Sequence, residues 1–194
     1  MRNFNLIFVL LSFMLNLSCE PLQVRSDEKI EGVKKDESLK GVRSSFESDD
    51  KKLDKINSMY FSYKKDFPAI NDISVKDINK NFKAEDVIFV DVREDDEMKI
   101  SMIPDAIDKQ SFEKDIGRHE EKHIIVYCTI GYRSGLYTKK LKELGYDSYN
   151  LIGGVLSWSH QLLKFIDSNG DETNQVHVYG KKWNLLHSTY QSVY

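Results

Sequence analysis

The sequence predicts an α/β fold, a mostly parallel central sheet with helices on both faces, from three observations. Two short apolar runs, VIFVDV at 87–92 and IIVY at 124–127, have the near-continuous hydrophobicity of strands covered on both sides. Segments of helical propensity or spacing follow them, at 94–101, 134–144 and 154–165. Strands that alternate with helices at this interval need crossover connections, and crossovers make neighbouring strands parallel.

In chain order, Leu53, Ile56, Met59, Tyr60 and Tyr63 recur at three- and four-residue steps, which puts them on one face of a helix that Phe67 and Pro68 end. Residues 73–75 read as a short extended piece and 76–82 as a turn or two of helix. After the strand at 87–92 come the helix at 94–101, a short strand at 106–107 and a short helix at 112–117. Beyond the strand at 124–127, the helix at 134–144 is closed by Gly145, a third strand spans 148–152, and the last core helix runs over 154–165. The remainder predicts a turn, an edge strand at 176–179 and a short helix at 182–186.

The first residues have a different composition. Arg2 supplies a positive start, 4–17 is almost wholly apolar, and the small Ser18 precedes Cys19, the layout of a secretory signal and short for a membrane span. The stretch LNLSC resembles a bacterial lipobox, with Asn16 where leucine is usual, so Cys19 is a candidate lipidation site. An ordinary cleaved signal is the alternative and a retained anchor the third reading. Residues 20–50 mix charges of both signs with Ser and Gly and show no apolar period, which reads as a solvated tether. The expected organisation is a signal peptide at 1–18, a flexible charged tether at 19–52, an N-terminal helical extension at 53–72, a core domain at 73–167 and a C-terminal extension at 168–194. The corresponding location is the cell envelope, lipid-anchored at a periplasmic or outer membrane surface through Cys19, with a soluble periplasmic or secreted protein as the alternative.

With 28 Lys and Arg against 31 Asp and Glu, the 194-residue chain carries a net charge of -3, and no basic block stands free of acidic residues. That balance argues against nucleic acid as a partner and for a small substrate. The five histidines are scattered, with neither ligand spacing nor a CxxC beside them, so no metal and no cofactor are implied.

The chemistry concentrates in CTIGYRS, 128–134. Cys128 stands directly after a buried strand and directly before a helix, where unpaired backbone N–H groups converge and favour an anion. Gly131 permits the tight reversal that curls the loop around the sulfur, and Arg133 can hold an anionic substrate bidentately. Thr129, Ile130, Gly131, Tyr132, Arg133 and Ser134 are therefore the candidate anion cradle around a nucleophilic Cys128. Its bland alternative is a buried, inert cysteine, since free cysteine is among the most buried residue types.

Four linked stretches resemble the rhodanese domain: VDVRE at 90–94, IPDAI at 103–107, YCTIGYRS at 127–134 and NLIGGVLSW at 150–158. The resemblance covers some seventy residues in the family's order and spacing. It implies a rhodanese-like fold and a thiosulfate sulfurtransferase activity, with Cys128 as the sulfur-carrying nucleophile, the loop amides holding its persulfide, and Arg133 on the anionic end of the donor. The implied partners are a small anionic sulfur donor and a thiol or cyanide acceptor. Asp91 and Arg93 match positions that support the loop from the neighbouring strand end, or else form a salt bridge that only stiffens the sheet. Gly153, Gly154 and Trp158 match a packing motif. One departure is the absence of the family's common Gly-His, where this chain has Ser101 and Met102.

Two other classes stay open at the level of sequence. A cysteine-dependent phosphatase or arsenate reductase of the related fold also uses a cysteine in an anion cradle, but its loop is one residue longer. Here four residues, 129–132, separate Cys128 from Arg133, which suits a single sulfur atom better than a tetrahedral phosphate. The third class is a non-catalytic module of the same family that binds a partner or senses oxidants.

Overall fold

The structure, a computed structural model, describes residues 37–194. The predicted signal peptide, Cys19 and the first part of the predicted tether lie outside the described residues. Five strands, β1 (Asn71–Ile73), β2 (Val87–Asp91), β3 (Ile107–Asp108), β4 (His123–Tyr127) and β5 (Ser148–Leu151), form one all-parallel sheet in the order β1-β5-β4-β2-β3. The central β4 pairs Val126 with Val90 of β2 on one side and Asn150 of β5 on the other.

Strand pleating sends alternate side chains to opposite faces. Ile124 and Val126 enter one apolar cluster with Phe112 of α4 (Lys109–Lys114) and Tyr137 and Leu141 of α5 (Tyr132–Glu143). Ile125 and Tyr127 enter the opposite cluster. There they meet Ile56 of α1 (Glu37–Tyr63), Ile78 of α2 (Val75–Asn81), and Val155 and Leu156 of α6 (Gly154–Ser159). The sheet is thus covered on both faces, as its apolar runs predict. Each of these fully buried aliphatic side chains contributes about 1.5–3 kcal/mol relative to exposure.

Three stretches differ from their expectation. Residues 37–52 are helical, so α1 begins at Glu37 and not near Leu53, and the tether reading fails over this stretch. Near the end of this stretch a buried carboxylate ties the helix to the C-terminal segment. Asp49, 4% exposed, accepts bonds from the Ser188 hydroxyl (2.7 Å), the Ser188 amide (3.1 Å) and Lys52 Nζ (2.9 Å).

The last core helix stops at Ser159, because Leu162 adopts a positive φ of 55° and Phe165 leaves to form β6 (Phe165–Ile166). That strand pairs antiparallel with β7 (Glu172–Thr173) and bridges to Met102, at the position where the family's histidine is missing. The third difference is the edge strand. It becomes β8 (Gln175–His177), which pairs in parallel with β9 (Gln191–Val193) in a small sheet of its own, followed by a 3₁₀ turn at Lys181–Trp183.

Candidate functional site

Cys128 follows β4 immediately, and the chain turns through 128–131 into the N-terminus of α5. Cys128 is 2% exposed, and its sulfur receives the Gly131 amide at 3.1 Å and the Ser134 hydroxyl at 3.5 Å. Gly131 makes the turn at φ 105°, and a Cβ there would stand 2.5 Å from the Tyr60 ring. Both demands exclude any other residue.

The loop is seated from behind by two elements. Val155 and Leu156 of α6 donate backbone N–H bonds to the carbonyls of Cys128 (3.0 Å) and Thr129 (3.3 Å). That approach needs Gly154, where a Cβ would lie 2.0 Å from the Cys128 carbonyl oxygen. Of the matched glycine pair, Gly154 therefore seats the loop, while a Cβ at Gly153 would meet Ser157 and Ile56. From α1, Tyr60 donates to Asp72 Oδ1 (2.6 Å) and accepts from Asn150 Nδ2, which also donates to the Gly131 carbonyl at 2.9 Å. Burial, and then the Asp72 carboxylate, push the Tyr60 phenol far above its ordinary range, so it stays a hydroxyl.

The cradle residues divide into two sets. Gly131 and Ser134 meet the sulfur; Thr129 and Arg133 turn to Glu97 of α3 (Asp95–Ile100). Arg133 grips both Glu97 oxygens, Nη1 to Oε2 at 2.6 Å and Nη2 to Oε1 at 2.8 Å, and the Thr129 hydroxyl donates to Oε1 at 3.1 Å. Burial opposes the Glu97 charge, but the Arg133 bonds and the Glu94 amide outweigh it and hold the carboxyl below its usual range. Burial likewise opposes the Arg133 charge, and Glu97 together with the Cys128 sulfur raises that guanidinium. The expectation of an arginine free to take the donor's anionic end thus meets a guanidinium already paired. Ile130 is buried in the core cluster, while Tyr132 stands at the mouth, 37% exposed.

Asp91 and Arg93 form a wholly buried pair, with Arg93 Nη2 to Asp91 Oδ2 at 2.7 Å and Nε to Oδ1 at 3.0 Å. Arg93 also donates to the Ser101 carbonyl and lies over the Tyr127 ring, whose hydroxyl accepts from the Ile103 amide. The pair thereby fixes the residue before Cys128 rather than the loop itself.

Sequence reasoning gave Glu97, Tyr60 and Asn150 no role at the site, although Tyr60 is on the predicted helix face and Asn150 opens the matched stretch at 150–158. Glu97 carries a signal of its own, since its position three residues after Glu94 is capping-box spacing, and Glu97 Oε2 does accept the Glu94 amide at 3.0 Å. Above the sulfur lies a pocket of about 250 Å³, whose rim includes Tyr63, Tyr132, Arg133, Tyr179 and Trp183. Among the described residues, no group of three or more His, Cys, Asp or Glu side chains is placed to hold a metal ion.

Comparison with known proteins locates this architecture. The family model for the rhodanese-like domain matches residues 74–161. A Bacillus subtilis (strain 168) protein named "Putative sulfurtransferase YtwF" is 31% identical over 93 residues, spanning 46% of this chain and 90% of its own length. A protein of Allochromatium vinosum named "Sulfurtransferase" is 29% identical over 106 residues, 52% of this chain and 99% of its own. Among solved structures, a rhodanese-related protein from Thermoplasma volcanium covers 50% of this chain and 97% of its own at 23% identity, with a TM-score of 0.43.

Proposed function

The chain belongs to the rhodanese-like domain family, and on that premise we propose that it is a sulfurtransferase that carries sulfane sulfur on Cys128. The thiolate attacks the outer sulfur of thiosulfate or a similar donor. The S–S bond breaks, sulfite leaves with the electron pair, and Cys128 keeps the sulfur as a persulfide. A thiol or cyanide then takes that sulfur and returns the thiolate. The observation that carries this reading is the sulfur at the floor of the pocket, held by the Gly131 amide and the Ser134 hydroxyl at the end of β4. Such preset donors stabilise the negative charge of the Cys128 thiolate, the attacking group, without reorganising.

The phosphatase alternative is disfavoured by the same geometry. The loop has four residues between Cys128 and Arg133, and the Glu97 carboxylate occupies the guanidinium that a phosphate dianion would need. With thiosulfate and cyanide, the purified protein is expected to release thiocyanate, and Cys128→Ser to release none. Hydrolysis of an aryl phosphate without thiocyanate release would select the phosphatase reading instead.

We also propose that the protein is exported and held at a membrane surface through a lipid on Cys19, on the strength of the signal-like sequence at 1–18. Cys128 then has no second in-chain thiol to resolve its persulfide, and an external acceptor discharges it. Labelling with a fatty acid is expected in the wild type and absent in Cys19→Ala; equal labelling of both would refute the anchor.

A further inference from the structure

The mouth of the pocket is built largely from outside residues 74–161. Tyr63 comes from α1, and Tyr179 and Trp183 from the segment after β8. Tyr63 packs edge-on against Tyr132, with ring centroids 5.3 Å apart, and the Tyr179 ring lies 5.6 Å from the Arg133 guanidinium carbon. Tyr179 is held at φ 67°, uncommon for a side chain of its size, and its amide donates to His177 Nδ1. A strained tyrosine on the rim of a reactive-cysteine pocket is a placed residue and not a loose one.

The charge at this mouth is as informative as its shape. The Arg133 guanidinium is bound to both Glu97 oxygens, with a Glu94 oxygen 3.8 Å away. A dianion entering here meets a guanidinium already bound to a carboxylate, between largely aromatic walls, with Lys182 Nζ over the Trp183 ring at 5.4 Å as a second cation beside them. An apolar group meets the reverse, because burying it against these rings is favourable. An apolar cavity of about 150 Å³ accepts benzene, so about 250 Å³ leaves room for a ring and two sulfur atoms.

Resting on the sulfurtransferase reading above, we propose that the preferred sulfur donor is a small organic persulfide, R–S–SH. R is an aromatic or aliphatic group seated among Tyr63, Tyr179 and Trp183, which set that preference. The Cys128 thiolate attacks the outer sulfur and the S–S bond of the donor breaks. The electron pair leaves on R–S⁻, and Cys128 carries S–SH, with no external oxidant or reductant.

The test compares loading of the full-length protein by benzyl hydropersulfide, cysteine hydropersulfide and thiosulfate at equal sub-saturating concentrations. The readout is the gain of one sulfur on the peptide containing Cys128. Benzyl hydropersulfide is expected to load faster than cysteine hydropersulfide by about tenfold or more, the effect of burying a modest apolar area, and thiosulfate to be slowest. In Trp183→Ala and Tyr179→Ala that ratio should fall toward one, and Tyr179→Phe should retain it. A wild-type ratio near one, or thiosulfate as the fastest donor, overturns the proposal without any variant, as does a ratio unchanged in both alanine variants. Failure of all three donors to load Cys128 would overturn the sulfurtransferase reading itself, which makes the two failures distinguishable.

Discussion

The floor and the mouth of the pocket are made in opposite ways. The floor is one continuous stretch, Cys128 to Ser134, whose donors reach the sulfur across three and six residues. The mouth adds to Tyr132 of that stretch three rings from elsewhere in the chain, Tyr63, Tyr179 and Trp183. A floor made of backbone must be right to fractions of an ångström, whereas a mouth made of rings tolerates exchange of shape. On the proposed reading, the local loop fixes the chemistry and the extensions around it set the choice of donor.

The strongest way to break this contrast is at the seat of the floor. Gly154→Val would push a Cβ and two methyl groups into the Cys128 carbonyl, 2.0 Å from the Cβ position, which is backbone and cannot swing aside. It is expected to destabilise the protein by roughly 3 kcal/mol or more and to abolish sulfur loading, read by thermal melting and by mass. Trp183→Ala, at the mouth, should shift the melt far less while changing the donor ratio.

Glu97→Gln is the next largest perturbation, and it sharpens the division. It removes the carboxylate from Arg133 and leaves a partly buried guanidinium short of its partner, at a cost of about 2 kcal/mol. Arg133 is then free for an anion, so loading by thiosulfate should rise relative to loading by benzyl hydropersulfide. An unchanged ratio would mean that the pair does not govern donor charge.

The clamp that joins α1 to the C-terminal segment gives a smaller, pH-dependent effect. Burial pushes the Asp49 carboxyl up, but bonds from Ser188 and Lys52 outweigh it and bring it down to about 2 from the ordinary 3.8. A carboxyl lower in the folded than in the unfolded state stabilises the fold above the unfolded value, and that contribution is lost as pH falls from about 4 to 2. In urea melts, Asp49→Asn should therefore be less stable than wild type by about 2 kcal/mol at pH 6, with the gap closing toward pH 2. A gap independent of pH would assign the loss to packing. Smaller again, Tyr60→Phe removes one hydroxyl that bridges Asp72 and Asn150 and should lower stability by about 1 kcal/mol in the same melts.

The same contrast explains what could be read from the chain. β2, β4, the reversal at Gly131 and the place of Cys128 directly after β4 are encoded by neighbours in sequence, and an apolar run ending at a cysteine and glycine shows them. Asp49 looked solvated among charged neighbours because its partner Ser188 lies 139 residues away. The helix expected over 154–165 ends at Ser159, and Leu162 and Leu163 beyond it are 60% and 37% exposed, so these two apolar residues report no core. Tyr63, Tyr179 and Trp183 share no period at all, since only the fold brings them to one rim. The pairing of Arg133 with Glu97 was hidden for the same reason, 36 residues of separation.

The central claim, that this loop holds sulfane sulfur on Cys128, is tested most directly by mass mapping of the protein after exposure to a sulfane donor and removal of excess. The account predicts a gain of one sulfur confined to the peptide that contains Cys128, absent in Cys128→Ser. A Cys128 peptide of unchanged mass with every donor, or a sulfur gain that survives in Cys128→Ser, would contradict it.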